Sequence, residues 1–182
     1  MQLLTRDSLR IVHVDDDSEF AELSAHWLRR AGFKQPVVRC SNGLLALQYF
    51  STIEPQSAPH VILLDLHMPH MNGLEVLRWV RENYSQRDVA VYLLTSSEDP
   101  AHKSQAVSNG VTDYLIKSSR ADKLIEKLDC LIAMNNAQSL KAGENRNARS
   151  KPGNEGLASF GKASSYDTSA EPRDIFNKEL ER

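Results

Sequence analysis

Cysteine is scarce in this 182-residue chain, which contains two. Cys40 and Cys130 are too few and too far apart for a disulfide framework, and they do not have the spacing of zinc ligands. We therefore expect both thiols to be reduced packing residues. An excess of positive charge is also missing, because 22 basic side chains and 24 acidic ones give a formal net charge of −2. Composition thus offers no electrostatic reason to expect binding to nucleic acid or to an anionic membrane.

Long apolar runs are missing as well. No segment is apolar enough to span a bilayer, and residues 1–10 lack the charged start, apolar stretch and small-residue cleavage site of a secretory signal. We therefore expect a cytoplasmic protein that binds neither membrane nor nucleic acid. The hydrophobic content of 41% is enough for one core of ordinary size.

Apolar residues instead occur in five short runs that alternate with segments of helical periodicity. The predicted strands cover residues 9–14, 36–40, 61–64, 89–94 and 113–116. The predicted helix starts are Asp17 or Ser18, the stretch 41–43, Gly73, Pro100 and Ser119. Strict alternation favours parallel strands joined by right-handed crossovers, so the sequence predicts a doubly wound α/β sheet with helices on both faces.

The fourth predicted helix, residues 100–109, offers little apolar surface for packing. Only Ala106 and Val107 within it are suited to burial, and Gly110 follows its end. Because a helix held by few buried contacts is released at low cost, we expect this element to be the most easily moved.

The chain changes character after Met134. Residues 1–134, with a core from 9 to 134, are predicted to form the domain, whereas residues 135–182 are polar and are predicted to be largely disordered. The tail carries eight basic and seven acidic side chains, which argues against a polybasic arm. Its last stretch, residues 171–182, is either a frayed terminus or a short helix that folds only on a partner or on the domain, with apolar residues Ile175, Phe176 and Leu180.

The stretch VILLDLHMPHMNG, residues 61–73, is the part around which the chain is organised. Its first four residues have the length and branching of a strand buried on both faces, and this run stops at Asp65. The carboxyl edge of an open α/β sheet is where such folds bind their ligands. Asp65 is therefore either a functional carboxylate or a simple loop cap.

Polar side chains also follow other predicted strands. Asp15 and Asp16 follow the first strand, Thr95 ends the fourth and Lys117 follows the fifth. The carboxyl ends of parallel strands share one edge, so we expect these groups to lie near Asp65. Clustered carboxylates repel one another unless a cation is bound, and hard oxygen ligands favour Mg²⁺. The sequence therefore predicts a divalent-metal site that receives a phosphoryl group.

This combination resembles the receiver domain of two-component response regulators over residues 9–134. The resemblance is carried by the acid pair after VHV, by VILLDLHMPHMNG, by LLTSS and by DYLIK. Thr95 lies 30 positions after Asp65 (95 − 65), and Lys117 lies 22 after Thr95 (117 − 95), as the family pattern expects. The resemblance implies the flavodoxin-like strand order 2-1-3-4-5.

The resemblance also implies roles for single residues. Asp65 would be the phosphoacceptor that forms an aspartyl-phosphate. Asp15, Asp16, Asp65 and the backbone carbonyl of His67 would hold Mg²⁺ or Mn²⁺. Two groups, the Lys117 ammonium and the Thr95 hydroxyl, would neutralise charge on the transferring group. Thr95 and Tyr114 would form the switch, in which Tyr114 turns inward after phosphorylation; alternatively, Tyr114 is an ordinary strand aromatic.

Three residues depart from the family pattern or can modify it. Ser118 stands where proline usually follows the lysine, which leaves the isomer of the Lys117–Ser118 bond open. His67 and Ser97, each two positions after a site residue, stand where side chains can influence the phosphoryl lifetime. Asp17 is predicted to cap a helix rather than to bind metal. The three histidines near these strand ends are not expected to form a transition-metal site; they are His13, His67 and His70.

The implied function is that of a single-domain response regulator in a bacterial signalling system. It would take a phosphoryl group from a sensor histidine kinase or a phosphotransfer protein and signal through contact with an unidentified protein. A homodimer through the fourth helix, fifth strand and fifth helix is a further expectation. One alternative is a pseudo-receiver, an interaction scaffold without phosphoryl turnover. Another is an aspartyl-phosphate phosphatase, but such enzymes carry an acid where this chain has His67.

Overall fold

The structure, a computed structural model, describes residues 3–54, 57–96, 100–117 and 121–148. The chain divides into two units, residues 1–146 and 147–182, and the fold described below is that of the first. Its strands are β1 (Ile11–Val14), β2 (Val38–Cys40), β3 (Val61–Asp65), β4 (Ala90–Thr95) and β5 (Asp113–Ile116). Its helices are α1 (Ser18–Arg30), α2 (Gly43–Thr52), α3 (Gly73–Asn83), α4 (Pro100–Ser108) and α5 (Asp122–Ala148).

The strands form one parallel sheet in the order β2-β1-β3-β4-β5, which confirms the predicted fold and strand order. Every residue of β1, β3 and β4 is buried, because helices cover both faces of the sheet. The register pairs Asp65 with Leu94 and Thr95 with Ile116. Strands β3, β4 and β5 therefore end at the same level, and the residues at their ends lie together at the carboxyl edge of the sheet.

Alternate strand residues separate into two cores. One core lies on the side of α2, α3 and α4 and includes Val12, Val14, Ile62 and Leu64. The other lies on the side of α1 and α5 and includes Ile11, Leu63, Leu28 and Leu128. This division follows from the period of two along a strand, which sends successive side chains to opposite faces.

Side-chain caps fix where several helices begin. Asp17 caps α1 by accepting from the Phe20 amide at 3.0 Å, as predicted. Asn72 caps α3 in a reciprocal capping box with Glu75. These caps accept hydrogen bonds from amide groups of the first helical turn, which have no partner within the helix. They therefore stabilise the start of α1 after β1 and the start of α3 after β3.

Helix α4 contains the two residues that the sequence suggested for burial, Ala106 and Val107. Of its two candidate residues, Ala106 is fully buried but Val107 is 65% exposed. Val107 therefore presents its side chain to solvent, and the prediction that α4 is the element most easily moved stays a prediction. None of the described helices is long and apolar enough to cross a bilayer.

Helix α5 extends beyond the predicted domain end at Met134 and reaches Ala148. The predicted domain boundary at residue 134 and the predicted disorder after it stay predictions. Asn136 explains part of the extension, because its side chain donates to the Leu4 carbonyl and accepts from the Leu4 amide, both at 2.8 Å. About two turns earlier in the same helix, Asp129 pairs with Arg6.

Several predictions concern residues outside the described ranges. They are the cap at Ser119, the isomer of the bond before Ser118, the influence of Ser97 and the short helix within 171–182. These stay predictions.

Candidate functional site

The carboxyl edge of the sheet brings the predicted site residues together. Lys117 Nζ lies 2.9 Å from Asp15 Oδ1 and 3.0 Å from Asp65 Oδ2. Thr95, at the end of β4, is buried, and its carbonyl accepts from the Lys117 amide at 2.7 Å. The lysine is thus tied by its backbone to the end of β4 and by its side chain to the two acids.

Three carboxylates meet at this edge. Oxygens of Asp15, Asp16 and Asp65 all lie within 4.8 Å of one another. Asp15 and Asp65 are buried, whereas Asp16 is exposed. With one lysine among them, the group carries a formal charge of −2 (−3 + 1). This excess and the all-oxygen ligand set fit a hard divalent cation such as Mg²⁺.

Asp15 is held by hydrogen bonds on both carboxylate oxygens. Oδ1 accepts from Lys117 Nζ and from the Asp17 amide, each at 2.9 Å, while Oδ2 lies 3.3 Å from His13 Nε2. Burial by itself would raise the pKa of Asp15, but the hydrogen bonds with His13, Lys117 and the Asp17 amide outweigh burial and lower it. Asp15 therefore stays ionised although it is buried.

Asp65 has the opposite balance. Burial raises the pKa of Asp65, the hydrogen bond with Lys117 lowers it, and the nearby charge of Asp15 raises it again, with a net increase. Its other oxygen, Oδ1, accepts from the His67 amide at 3.3 Å. Asp15 and Asp65 share one lysine, but their pKa values shift in opposite directions. Perturbed pKa values of this kind are typical of functional sites.

Lys117 is held in its ammonium form. Burial lowers the pKa of Lys117, but hydrogen bonds and charge from Asp15 and Asp65 raise it above its ordinary value. Its side chain is 15% exposed, so the ammonium can still be reached from solvent. A fixed positive charge at this place can attract an anionic group to Asp65.

The loop after β3 is tightly folded. His70 has a φ of 68°, and the Met71 amide donates to the Pro69 carbonyl at 2.8 Å, so the chain makes a three-residue turn here. His67 and His70 are both exposed in this loop. Among the described residues, the group of possible metal ligands contains the three aspartates and none of the histidines.

Tyr114 lies in β5, near the end of the sheet that carries the site. It is partly buried and packs against the core on the side of α2, α3 and α4. Its neighbour in β4 is Leu93, two residues before Thr95. The structure therefore places Tyr114 beside the strand that carries Thr95.

Sequence reasoning missed two residues that contact the site directly. His13 contacts Asp15 from within β1, and the Phe20 ring lies 5.3 Å from Lys117 Nζ. A signal for His13 did exist, since a histidine within a run of valine and isoleucine, two positions before an acid, shares a sheet face with that acid.

The chain is similar to known proteins over most of the fold described above. A family model described as the response regulator receiver domain matches residues 11–129. The DNA-binding response regulator MtrA of Mycobacterium tuberculosis is 31% identical over 126 residues, which are 69% of this chain and 51% of MtrA. Chemotaxis protein CheY1 of Helicobacter pylori is 25% identical over 127 residues, which are 70% of this chain and 99% of CheY1.

Solved structures show the same likeness. The chemotaxis protein CheY4 of Vibrio cholerae has a TM-score of 0.59 and 25% identity, with coverage of 68% of this chain and 98% of CheY4. The chain spans about half the length of the gene regulators that it matches. The parts of those longer proteins that lie outside the match carry no information about this chain.

Proposed function

The chain belongs to the response regulator receiver domain family, and we propose that it accepts a phosphoryl group on Asp65 from a sensor histidine kinase or a phosphotransfer protein. The observation that carries this proposal is the position of Lys117, whose Nζ lies within 3.0 Å of oxygens of both Asp15 and Asp65. This lysine supplies positive charge beside the acceptor oxygen. The proposal rests on that site and on the family, since a fold alone does not define an activity.

Mg²⁺ or Mn²⁺ is proposed as the cofactor. Its ligands would be Asp15, Asp16 and Asp65, with the backbone carbonyl of His67 as a further ligand. The three carboxylates within 4.8 Å of one another support the carboxylate part of this set. When bound, the ion would neutralise charge on the transferring phosphoryl group. Since Asp15 has a lowered pKa against the effect of burial, it is available as an anionic ligand.

Phosphoryl transfer then requires few groups of the protein. An oxygen of Asp65 attacks the phosphorus of a phosphohistidine or a small acyl phosphate. The new oxygen–phosphorus bond forms as the bond to the leaving nitrogen or oxygen breaks, and the leaving group takes the electron pair. Lys117 and the hydroxyl of Thr95 would bind the phosphoryl oxygens and stabilise their charge. The protein assists its own modification and is not proposed to turn over a separate substrate.

The output is proposed to be a change in protein contacts, made in the cytoplasm. Phosphorylation would draw Thr95 toward the phosphoryl group and turn Tyr114 inward, which shifts the surface of α4, β5 and α5. Support comes from α4, in which Ala106 is buried and Val107 exposed, and from the exposed Ile116 of β5. A downstream protein or a second copy of the chain would bind this surface.

Labelling with a small acyl phosphate in the presence of Mg²⁺ tests the proposal. We expect Asp65→Asn to abolish the label. Asp17→Asn is the matched control, because Asp17 is a nearby acid that caps α1 and asparagine caps a helix equally well. Undiminished labelling of Asp65→Asn would exclude Asp65 as the acceptor. Absence of both labelling and any Mg²⁺ response in the unmodified chain would instead favour the interaction scaffold.

A further inference from the structure

His13 is a buried polar residue within an otherwise apolar strand. β1 reads IVHV, and all four of its residues are buried. Alternation along the strand puts His13 on the face of Ile11, which α1 and α5 cover. A valine or leucine would fill this position without the cost of burying an imidazole, so the histidine requires a physical reason.

Its contact with Asp15 supplies that reason. His13 Nε2 lies 3.3 Å from Asp15 Oδ2, and both side chains are 0% exposed. The other oxygen, Oδ1, already accepts from Lys117 Nζ and from the Asp17 amide. His13 therefore contacts Oδ2, the oxygen of Asp15 that binds neither Lys117 nor the Asp17 amide.

The two ring nitrogens of His13 have different surroundings. Nδ1 is buried and has no hydrogen-bond partner within the described part of the chain, whereas Nε2 faces the carboxylate of Asp15. A hydrogen on Nδ1 alone would leave a buried donor unpaired and would direct the Nε2 lone pair at an anionic oxygen. The favoured form of the ring therefore carries hydrogen on Nε2 and donates it to Asp15.

Phe20 of α1 packs against this ring. The rings of Phe20 and His13 meet edge to face, with centroids 6.0 Å apart and an interplanar angle of 82°. The Phe20 ring also faces Lys117, whose Nζ lies 5.3 Å from the ring centroid. One aromatic ring thus contacts both side chains that hydrogen-bond to Asp15.

We propose that His13 is a positioning residue, which orients the Asp15 carboxylate for the divalent cation by donating a hydrogen bond from Nε2 to Oδ2. This inference rests on the proposed function, because it concerns the same metal site. Groups that hydrogen-bond to metal ligands hold those ligands in orientation, and their loss typically weakens metal binding about ten- to a hundredfold. Without His13, Oδ2 of Asp15 would lose its buried partner and the carboxylate could rotate away from the cation.

Calorimetric titration of the full chain with Mg²⁺ tests this role. His13→Gln keeps an N–H donor of similar reach, while His13→Leu keeps the volume and removes the donor. His60→Leu is the control, since His60 lies just before β3, at the other edge of the sheet, where it accepts from the Arg10 amide. We expect His13→Leu to bind Mg²⁺ about tenfold more weakly, and the other two variants to stay within about threefold of the unmodified protein.

The possible outcomes separate this inference from the proposed function. Equal Mg²⁺ affinity of the unmodified protein and His13→Leu would overturn the positioning role and leave the metal site standing. Equal losses in His13→Leu and His13→Gln would also overturn it, because packing rather than the donor would then be responsible. Absence of Mg²⁺ binding by the unmodified protein would overturn the metal site and the role of His13 together.

Nitrogen NMR of the unmodified protein provides a second test, which does not depend on the folding of any variant. We expect the His13 ring to carry a hydrogen on Nε2 that exchanges slowly with solvent, because both His13 and Asp15 are buried. A ring that carries hydrogen on Nδ1 alone could not donate to Asp15 and would overturn the proposal.

Discussion

Gly73 packs so closely on the strand end that a Cβ at this position would lie 2.2 Å from the backbone carbonyl oxygen of Asp65. Gly73 is the first residue of α3, and its amide donates to the Leu66 carbonyl at 3.0 Å. The helix therefore rests directly on the backbone that carries the proposed phosphoacceptor. Only glycine allows two backbone segments to approach this closely.

Gly73→Ala is expected to destabilise the protein by about 3 kcal/mol, because the new methyl group must displace backbone rather than a flexible side chain. Urea unfolding measures this change. Gly32→Ala is the control, since Gly32 has a φ of +88° but open space around its Cβ position. Conformational strain alone should cost this control about 1 kcal/mol. Equal losses in both variants would show that close packing on Asp65 is not the cause.

Lys117→Met is expected to destabilise the metal-free protein by about 3 kcal/mol, because it leaves the buried carboxylates of Asp15 and Asp65 without their shared cation. Mg²⁺ should restore more stability to this variant than it adds to the unmodified protein. Unfolding curves with and without Mg²⁺ measure both effects. Lys34→Met is the control, since the pair of Lys34 with Asp7 is mostly exposed and should contribute under about 1 kcal/mol.

Asp15→Asn and Asp65→Asn are expected to change stability in opposite directions at neutral pH without metal. Burial raises the pKa of Asp65 more than Lys117 lowers it, so its charge opposes folding and its removal stabilises the protein. Burial also acts on Asp15, but hydrogen bonds with His13 and Lys117 outweigh it and lower the pKa, so loss of this charge destabilises. Urea unfolding of both variants checks the signs, and a shift in the same direction for both would contradict them.

The pH dependence of these two variants follows from the same shifts. The ordinary value for aspartate is 3.8. Asp15 titrates below this value, so its stabilising effect is complete above pH 3.8 and is lost as pH falls through its lowered pKa. The pKa of Asp65 is raised above it, so its penalty is absent below pH 3.8, grows as pH rises from 3.8 toward the raised pKa and is complete above that pKa. The advantage of Asp65→Asn over the unmodified chain should therefore shrink on acidification in unfolding experiments.

Asn136→Ala is expected to lower the free energy of unfolding by about 1–2 kcal/mol, because both backbone groups of Leu4 lose their hydrogen-bond partner. Hydrogen exchange at the Leu4 amide should become faster at the same time. Gln138→Ala, an exposed change in the same helix, should leave both measurements nearly unchanged. Unaltered exchange at Leu4 in Asn136→Ala would show that α5 does not hold the N-terminal segment through this residue.

The sequence by itself was sufficient for the sheet and for most of the residues that meet at its carboxyl edge. A buried apolar strand cannot continue through a charged residue, so the runs that stop at Asp15, Asp65 and Lys117 marked both the strand ends and the site. Parallel pairing then implied that those ends meet at one edge. The contact that holds α5 beyond residue 134 could not be predicted in this way. Asn136 bonds to Leu4 across 132 positions, and local polarity carries no information about such a contact.

Tertiary structure alone decided the contacts that set the chemistry. Lys117 and Asp15 are 102 positions apart, and only the packed sheet brings them to 2.9 Å. The same packing places His13 beside Asp15 and Phe20 beside Lys117, and it sets the pKa shifts of Asp15 and Asp65 in opposite directions. Sequence patterns determine which residues reach the edge of the sheet. Electrostatic and hydrogen-bond energies depend on distances of a few ångströms, which are fixed only when the two cores pack.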